Sequence, residues 1–393
     1  MAGCGRGGGP LSGSGPTLAR PAAPTASDGV ASAWPAAIHD ARHSSAVDAG
    51  VVGPQAGHIR WERRLEGNVT PGPALGADGT VYAASNAGTL HALDPATGED
   101  KWRFDGGRSY GSDLSTTPSI MRDGTILWPG PSDTLVALSP AGQLLWRQRF
   151  AGFVLSPADR GDGRVYVMDM SGTLSALDVG SAGAHVAWTL RLGAMSYSSP
   201  AISPSGTVVA AVEDAVVGVT DRGDHADASW RWQAPATVEV SPAVGPDGTV
   251  VVGLNDDYVY GLGADGAQRW RWRKGDWSYS SAAVTPDGRA YVGDHLGFLD
   301  VLDAMTGSLV RRLATIPKSE PHPGGVGVWT SPAVDRVGDV YFGTVVGHVY
   351  GFGPDGRQLF DLDTGATVDS YPALGPDGTL YIGSANGRLY AVG

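Results

Sequence analysis

Thr70 to Gly107, TPGPALGADGTVYAASNAGTLHALDPATGEDKWRFDGG, is the stretch whose reading decides the fold. Three apolar runs, PALG, TVYAAS and TLHALD, are separated by Asp78-Gly79 and Ala87-Gly88, and after Asp94 a Thr97-Gly98 turn leads into DKWRF. Short runs rich in Val, Leu, Tyr and Thr, bounded by Gly, Asp and Pro, signal strands rather than helices. The stretch therefore reads as one four-stranded antiparallel sheet, and the chain after it reads as imperfect copies of that sheet.

The glycine before the second strand counts the copies: Gly79, Gly124, Gly163, Gly206, Gly248, Gly288, Gly338 and Gly378. They lie roughly 40 to 50 residues apart, which suits one small sheet per repeat. All but Gly338 follow Asp or Ser, as turn chemistry prefers. The chain of 393 residues is thus expected to form a single all-β body of eight sheets rather than several domains.

A second marker says how the body closes. Trp102 follows Gly98 by four residues, and the same spacing gives Trp146 after Gly142, Trp270 after Gly266 and Phe360 after Gly356. Trp188 and Trp230 match after longer turns. The eighth copy ends at Gly393, directly after its third strand, while AGHIRW at 56–61 reads like AGQLLW at 141–146. A strand at 59–65 is therefore predicted to pair with Leu389 to Val392, completing the last sheet with Trp61 in the docking position. Such closure removes open sheet edges that invite aggregation.

The order Ala92-Leu93-Asp94, Gly98-Glu99, Trp102 resembles the tryptophan-docking repeat of the pyrroloquinoline quinone (PQQ) type β-propellers, and WPAAIHDARH at 34–43 resembles the lead-in before many bacterial members. The resemblance covers about residues 34 to 393 and implies an eight-bladed β-propeller. The family includes quinoprotein alcohol dehydrogenases and the non-catalytic lipoprotein subunit of the bacterial outer-membrane β-barrel assembly machinery, and the resemblance leans to the second. Docking also carries an internal test, because a large indole on the fourth strand needs a small residue opposite. The third strands supply Ala92, Ala137, Ala176, Gly218, Gly261, Gly351 and Ala391. The exception, Val301, occurs in the one copy with Arg311 in place of Trp and Ala282 in place of the first-strand Pro. The longest insertion, 314–328, follows that copy.

Before the propeller, residues 1–32 are rich in Gly, Pro, Ala and Ser and read as a disordered tether. Met1-Ala2-Gly3-Cys4 has the small-small-Cys ending of a lipoprotein cleavage site without the charged and apolar parts of a signal peptide, so Cys4 is a candidate for lipidation and an extracytoplasmic location is expected. Residues 33–58 read as a lead-in packed on the outside of the body through Trp34 and Ile38. His39 and His43 within it are four apart, but two imidazoles without a third ligand do not make a metal site.

The net charge of −12 argues against a phosphate backbone as partner, which is bound by neutralising Lys and Arg. Nucleic acid is not expected, nor is a transmembrane segment, since no apolar run approaches about 18 residues. A monomer is expected.

Chemistry is expected on the face shared by the links between blades and the second-to-third-strand turns. Counting three back from the first-strand Pro position gives Thr70, Ser115, Val154, Tyr197, Glu239, Tyr279, Trp329 and Asp369. Tyr197, Glu239, Tyr279, Trp329 and Asp369, with Trp277 and His322 close in sequence, form the candidate ligand site. Its occupant is either a protein partner or a small molecule. Glu239 and Asp369 are the candidate general acid or base if the site is catalytic. The resemblance brings a quinoprotein reading with it, but that class carries adjacent cysteines covering the cofactor and calcium ligands at set blade positions. The only cysteine is Cys4, in the tether, and Asn255-Asp256-Asp257 is a weak oxygen cluster, so PQQ with calcium is not expected. With no GxSxG, HExxH or P-loop, the leading expectation is a non-catalytic binding or scaffold protein.

Overall fold

The computed structural model describes residues 34–36, 40–46, 50–107, 117–180, 182–277, 279–315 and 326–393, so Cys4, Ile38, His39, Ser115 and His322 lie outside the described residues. The chain divides into two units, 1–30 and 31–393, and the second is the body described below. It consists of eight four-stranded antiparallel sheets, one per repeat, an eight-bladed β-propeller. Among the described residues no helix is long and apolar enough to cross a membrane.

The first blade runs Ala74–Leu75, Val81–Ala84, Thr89–Leu93 and Asp100–Asp105. Its first turn shows why Asp-Gly-Thr recurs. Gly79 sits at φ 79°, where an L side chain is strained, and the Asp78 carboxylate accepts the Thr80 amide at 3.0 Å and the Thr80 hydroxyl at 2.6 Å. Asp247 and Asp377 hold Thr249 and Thr379 in the same way.

The eighth blade closes as the sequence predicts. Ile59–Arg64 pairs antiparallel with Arg388–Val392, placing Trp61 opposite Ala391, and the Leu65 amide donates to Gly387 O at 2.9 Å. The large and small partners are register neighbours in every blade: Trp102 with Ala92, Trp146 with Ala137, Trp188 with Ala176, Trp230 with Gly218, Trp270 with Gly261, Phe360 with Gly351, and Arg311 with Val301.

Each of these side chains also reaches the next blade. The Trp61 indole lies on Gly98, where an added Cβ would come within 2.5 Å of the ring, and Nε1 donates to Pro95 O at 2.8 Å. Trp102 covers Gly142 and donates to Pro140 O, Trp270 covers Gly307 and donates to Ala304 O, and Trp230 and Phe360 cover Gly266 and Gly57. Trp146 and Trp188 donate to Gly180 O and the Asp221 carboxylate. Where a glycine lies four residues before the belt residue, at Gly57, Gly98, Gly142, Gly266 and Gly307, it thus serves the aromatic of the preceding blade. In blade six the docking is altered rather than lost, because the Arg311 guanidinium lies on Gly356 and donates to Asp355 O.

The lead-in departs from its expected place on the outside. Six first-strand amides donate to its carbonyls: Leu75 to Trp34 O, Ile120 to Pro35 O, Ile202 to Ala41 O, Val244 to Arg42 O, Val284 to Ser44 O and Val334 to Ser45 O, at 2.6 to 3.1 Å. Those amides belong to blades one, two, four, five, six and seven. So short a segment can reach six blades only where their first strands converge, on the propeller axis. Every donor sits just before its blade's first turn, so the strap crosses the axis at the first-turn end of the body. It is shaped by Asp40, whose carboxylate accepts the Arg42 and Ser44 amides, and by left-handed backbone at His43 and Ser45. The correction has a physical reason: a segment held by its main-chain carbonyls leaves no periodic side-chain signal.

Candidate functional site

The opposite end of the body carries the inter-blade links and the second-to-third-strand turns, and a repeated backbone bond fixes their relation. The first amide inside the turn donates to a link carbonyl: Asn86 to Asn68 O, Asn255 to Thr237 O, His295 to Trp277 O, Val345 to Gly327 O and Ala385 to Thr367 O, at 2.9 to 3.3 Å. Each bond sets a turn-tip side chain beside the link residues that lead into the next blade. Where the repeats agree this is scaffold. Where they differ it assembles a site.

At blades five to seven the differing residues are aromatic. Trp277 stacks on His295 with ring centroids 4.6 Å apart and planes 14° from parallel. The Trp329 ring is 5.6 Å from that of His295 with planes 25° from parallel, and its Nε1 donates to His295 Nδ1 at 3.1 Å. In that bond His295 Nδ1 is the acceptor. Tyr279 stands edge-on to both tryptophans, 5.2 Å from each at 77° and 88°. Gly327 permits this packing, since an added Cβ would lie 2.7 Å from Trp329 Nε1.

Glu239 supplies the polar side. Its carboxylate accepts the Asn255 amide at 2.9 Å. The Tyr279 phenol is raised above its ordinary value of 10, first by burial and then by the charge and hydrogen bond of Glu239, with Tyr197 adding to the effect. The structure therefore brings together Glu239, Trp277, Tyr279 and Trp329, with Tyr197 at their edge. Asp369 lies close enough to Tyr371 to act on it, and that phenol is pushed up to about 12 by desolvation and then by the Asp369 charge. Thr70 and Val154 are buried.

Counting positions from the first-strand Pro missed three contributors. His295 and Asn255 occupy the same turn position in successive blades, and aligning those turns would have found them. Lys274, which is 3% exposed, is placed by packing alone. Its ammonium donates to Leu254 O at 3.0 Å, and burial lowers it to about 8 against the opposing pull of Asp256, Asp294, Asp257 and Asp276. Asn255, Asp256 and Asp257 do not converge on one point. Asn255 bonds Glu239, whereas Asp256 accepts the Tyr258 amide and the Tyr260 hydroxyl. Among the described residues no group of three or more His, Cys, Asp or Glu could hold a metal ion.

The face exposes apolar side chains beyond the cluster. Met195 and Tyr197 are each 37% exposed, Tyr279 and Leu296 42% and Val346 39%, all in links or turns of blades four to seven. An apolar patch rimmed by polar groups is a recurrent mark of an interaction surface.

Residues 45–126 and 108–224 match the family described as outer membrane protein assembly factor BamB. No curated protein matches the sequence. Among solved structures, the chain is similar to the crystal structure of BamB from Moraxella catarrhalis, with a TM-score of 0.64 and 16% identity over 85% of this chain and 99% of that one. At that identity the structural likeness is one of fold. The matched repeats, their eightfold recurrence and the docking belt that joins them make this chain similar, over residues 45–224, to the PQQ-type β-propeller repeat family.

Proposed function

We propose that this protein is a non-catalytic binding propeller that holds a protein partner on the link-and-turn face of blades four to seven, and that it works in the bacterial cell envelope. The observation that carries the reading is the grouping of Met195, Tyr197, Tyr279, Leu296 and Val346 as exposed apolar side chains around the Trp277, His295 and Trp329 cluster. Exposed aromatics set among near-neutral polar contacts are what protein interfaces use as anchors. The similarity to BamB, named as an outer membrane protein assembly factor, supports both the scaffold role and the location. The strap adds a geometric reason for the choice of face, because it occupies the axis at the other end.

A second reading, a small-molecule or catalytic site at the same place, draws on the Glu239 carboxylate lying between Asn255 and Tyr279.

Site-specific photo-crosslinking in the native host tests the first reading. A benzophenone amino acid at position 279 should capture one protein species, and the same probe at Thr97, in a turn at the opposite end, should not. Capture from position 97 alone, or from neither, would overturn it. Native mass spectrometry showing a small adduct that W329A loses would favour the second reading.

A further inference from the structure

We infer that the group received by the blade four-to-seven face is a cationic side chain, an arginine or lysine carried on an extended, apolar segment of the partner. This rests on the protein-docking reading above and adds the chemistry of recognition to it.

Two independent features point the same way. The first is charge. The links and turns of blades four to six present Glu213, Asp214, Glu239, Asp256, Asp257 and Asp276. Asp214 is paired with Arg231 at 3.0 Å and Asp256 is engaged by the Tyr260 hydroxyl, but among the described residues Glu213, Glu239, Asp257 and Asp276 are in no ion pair. Lys274, the one cation among the described residues of those links and turns, is buried and spends a donor on Leu254 O, so it does not cancel the charge offered to a partner. Carboxylates gathered on one face of a protein whose net charge is −12 favour a positive partner and steer its approach.

The second feature is the rings. Trp277, Tyr279 and Trp329 lie in mutual contact beside Glu239, and the electron-rich face of an indole or phenol attracts a guanidinium or ammonium. A guanidinium suits the place because it can lie flat on a ring while its edge donates to a carboxylate. Exposed Met195, Leu296 and Val346 around the cluster suit apolar neighbours of that cation on the same segment.

The test is calorimetric titration of the whole protein with acetyl-Leu-Arg-Leu-amide and with the same peptide carrying citrulline, which keeps the shape and loses the charge. The arginine peptide should bind at least about tenfold more tightly, and raising the salt should erode the difference. E239Q should remove most of the preference for arginine, and W329L should weaken the arginine peptide about tenfold, both with unchanged melting temperature. Equal binding of both peptides, lost in W329L, would overturn the cationic inference while leaving the docking face intact. Binding of neither peptide would overturn the inference alone if position 279 still crosslinks a protein, and would count against both if it does not. A preference for arginine that E239Q leaves untouched would also overturn the inference.

Discussion

The outer belt and the link-and-turn face of this propeller are built by the same repeats and obey opposite rules. In the belt seven blades offer the same pair, a large fourth-strand side chain facing Ala or Gly on the third strand, and every belt side chain reaches the next blade. On the face, equivalent positions hold Thr70, Val154, Tyr197, Glu239, Tyr279, Trp329 and Asp369, and no two neighbouring blades repeat. Belt contacts hold each blade to the next, so all eight are under one constraint. Positions on the face are under no such repeated constraint, and so blades are free to diverge there.

The largest effect should come from the belt at its seam. Trp61 joins the two ends of the chain, packing on Gly98 and bonding Pro95 O from a strand paired with Arg388–Val392. Trp61→Ala should cost about 3 to 5 kcal/mol, as truncation of other buried aromatics does, measured by chemical denaturation. W329L should leave stability nearly unchanged. If Trp61→Ala cost under about 1 kcal/mol, or W329L cost as much, the division between belt and face would fail.

Blade six sharpens the same division because there the belt itself diverges. Val301 stands where the other blades have Ala or Gly, and Arg311 reaches the next blade with a guanidinium. The Asp300 carboxylate beside it takes bonds from Arg312 and the Trp272 indole. Placing an indole at 311 against a branched neighbour should overpack the site, so Arg311→Trp alone should destabilise by about 1 to 3 kcal/mol. Val301→Ala in the same chain should recover at least about 1 kcal/mol of that, a coupling read from a double-mutant cycle. Simple additivity would mean that the pairing of large and small is a coincidence of sequence.

These elements also show how far the sequence could be read. Blade number and closure were legible because each rests on local chemistry, an Asp-Gly turn or a glycine four residues before an aromatic. The pairing of Trp with Ala or Gly was legible because both halves changed together at Val301 and Arg311. That the glycine serves the preceding blade's aromatic was not, since the contact spans about one repeat and leaves no local pattern. Position counting named Glu239, Tyr279 and Trp329, with Trp277 added as close in sequence, and side chains on adjacent links lie together there. It could not say which neighbour each side chain turns toward, because ring position fixes a Cα and no more. The strap was illegible in principle: its partners are carbonyls, which every residue has.

The strap gives the smallest and most specific prediction, a difference in pH response between axis and belt. The belt's indoles and glycines do not titrate, whereas His43 in the strap is buried, with Nδ1 3.0 Å from Pro242 O. Burial lowers its pKa from the ordinary 6.5, and the opposing effects of the Pro242 carbonyl and the Asp40 charge are smaller. The unfolded chain therefore takes up a proton near pH 6.5 that the folded chain refuses, so its contribution to stability is complete above that pH. It is lost as pH falls through the lowered folded value, with one proton limiting the slope to about 1.4 kcal/mol per pH unit. His43→Asn is the control, because Asn tolerates the φ of 57° found there and keeps a donor for Pro242 O without titrating in this range. Melting temperatures from pH 8 to pH 5 should run parallel above pH 7 and separate below it, with the natural protein falling faster. The other histidines are common to both proteins and cancel in the difference. Parallel curves over the whole range would mean that His43 stays neutral in both states or leaves the axis before the fold melts, and either would remove the strap's titration from the account of this fold.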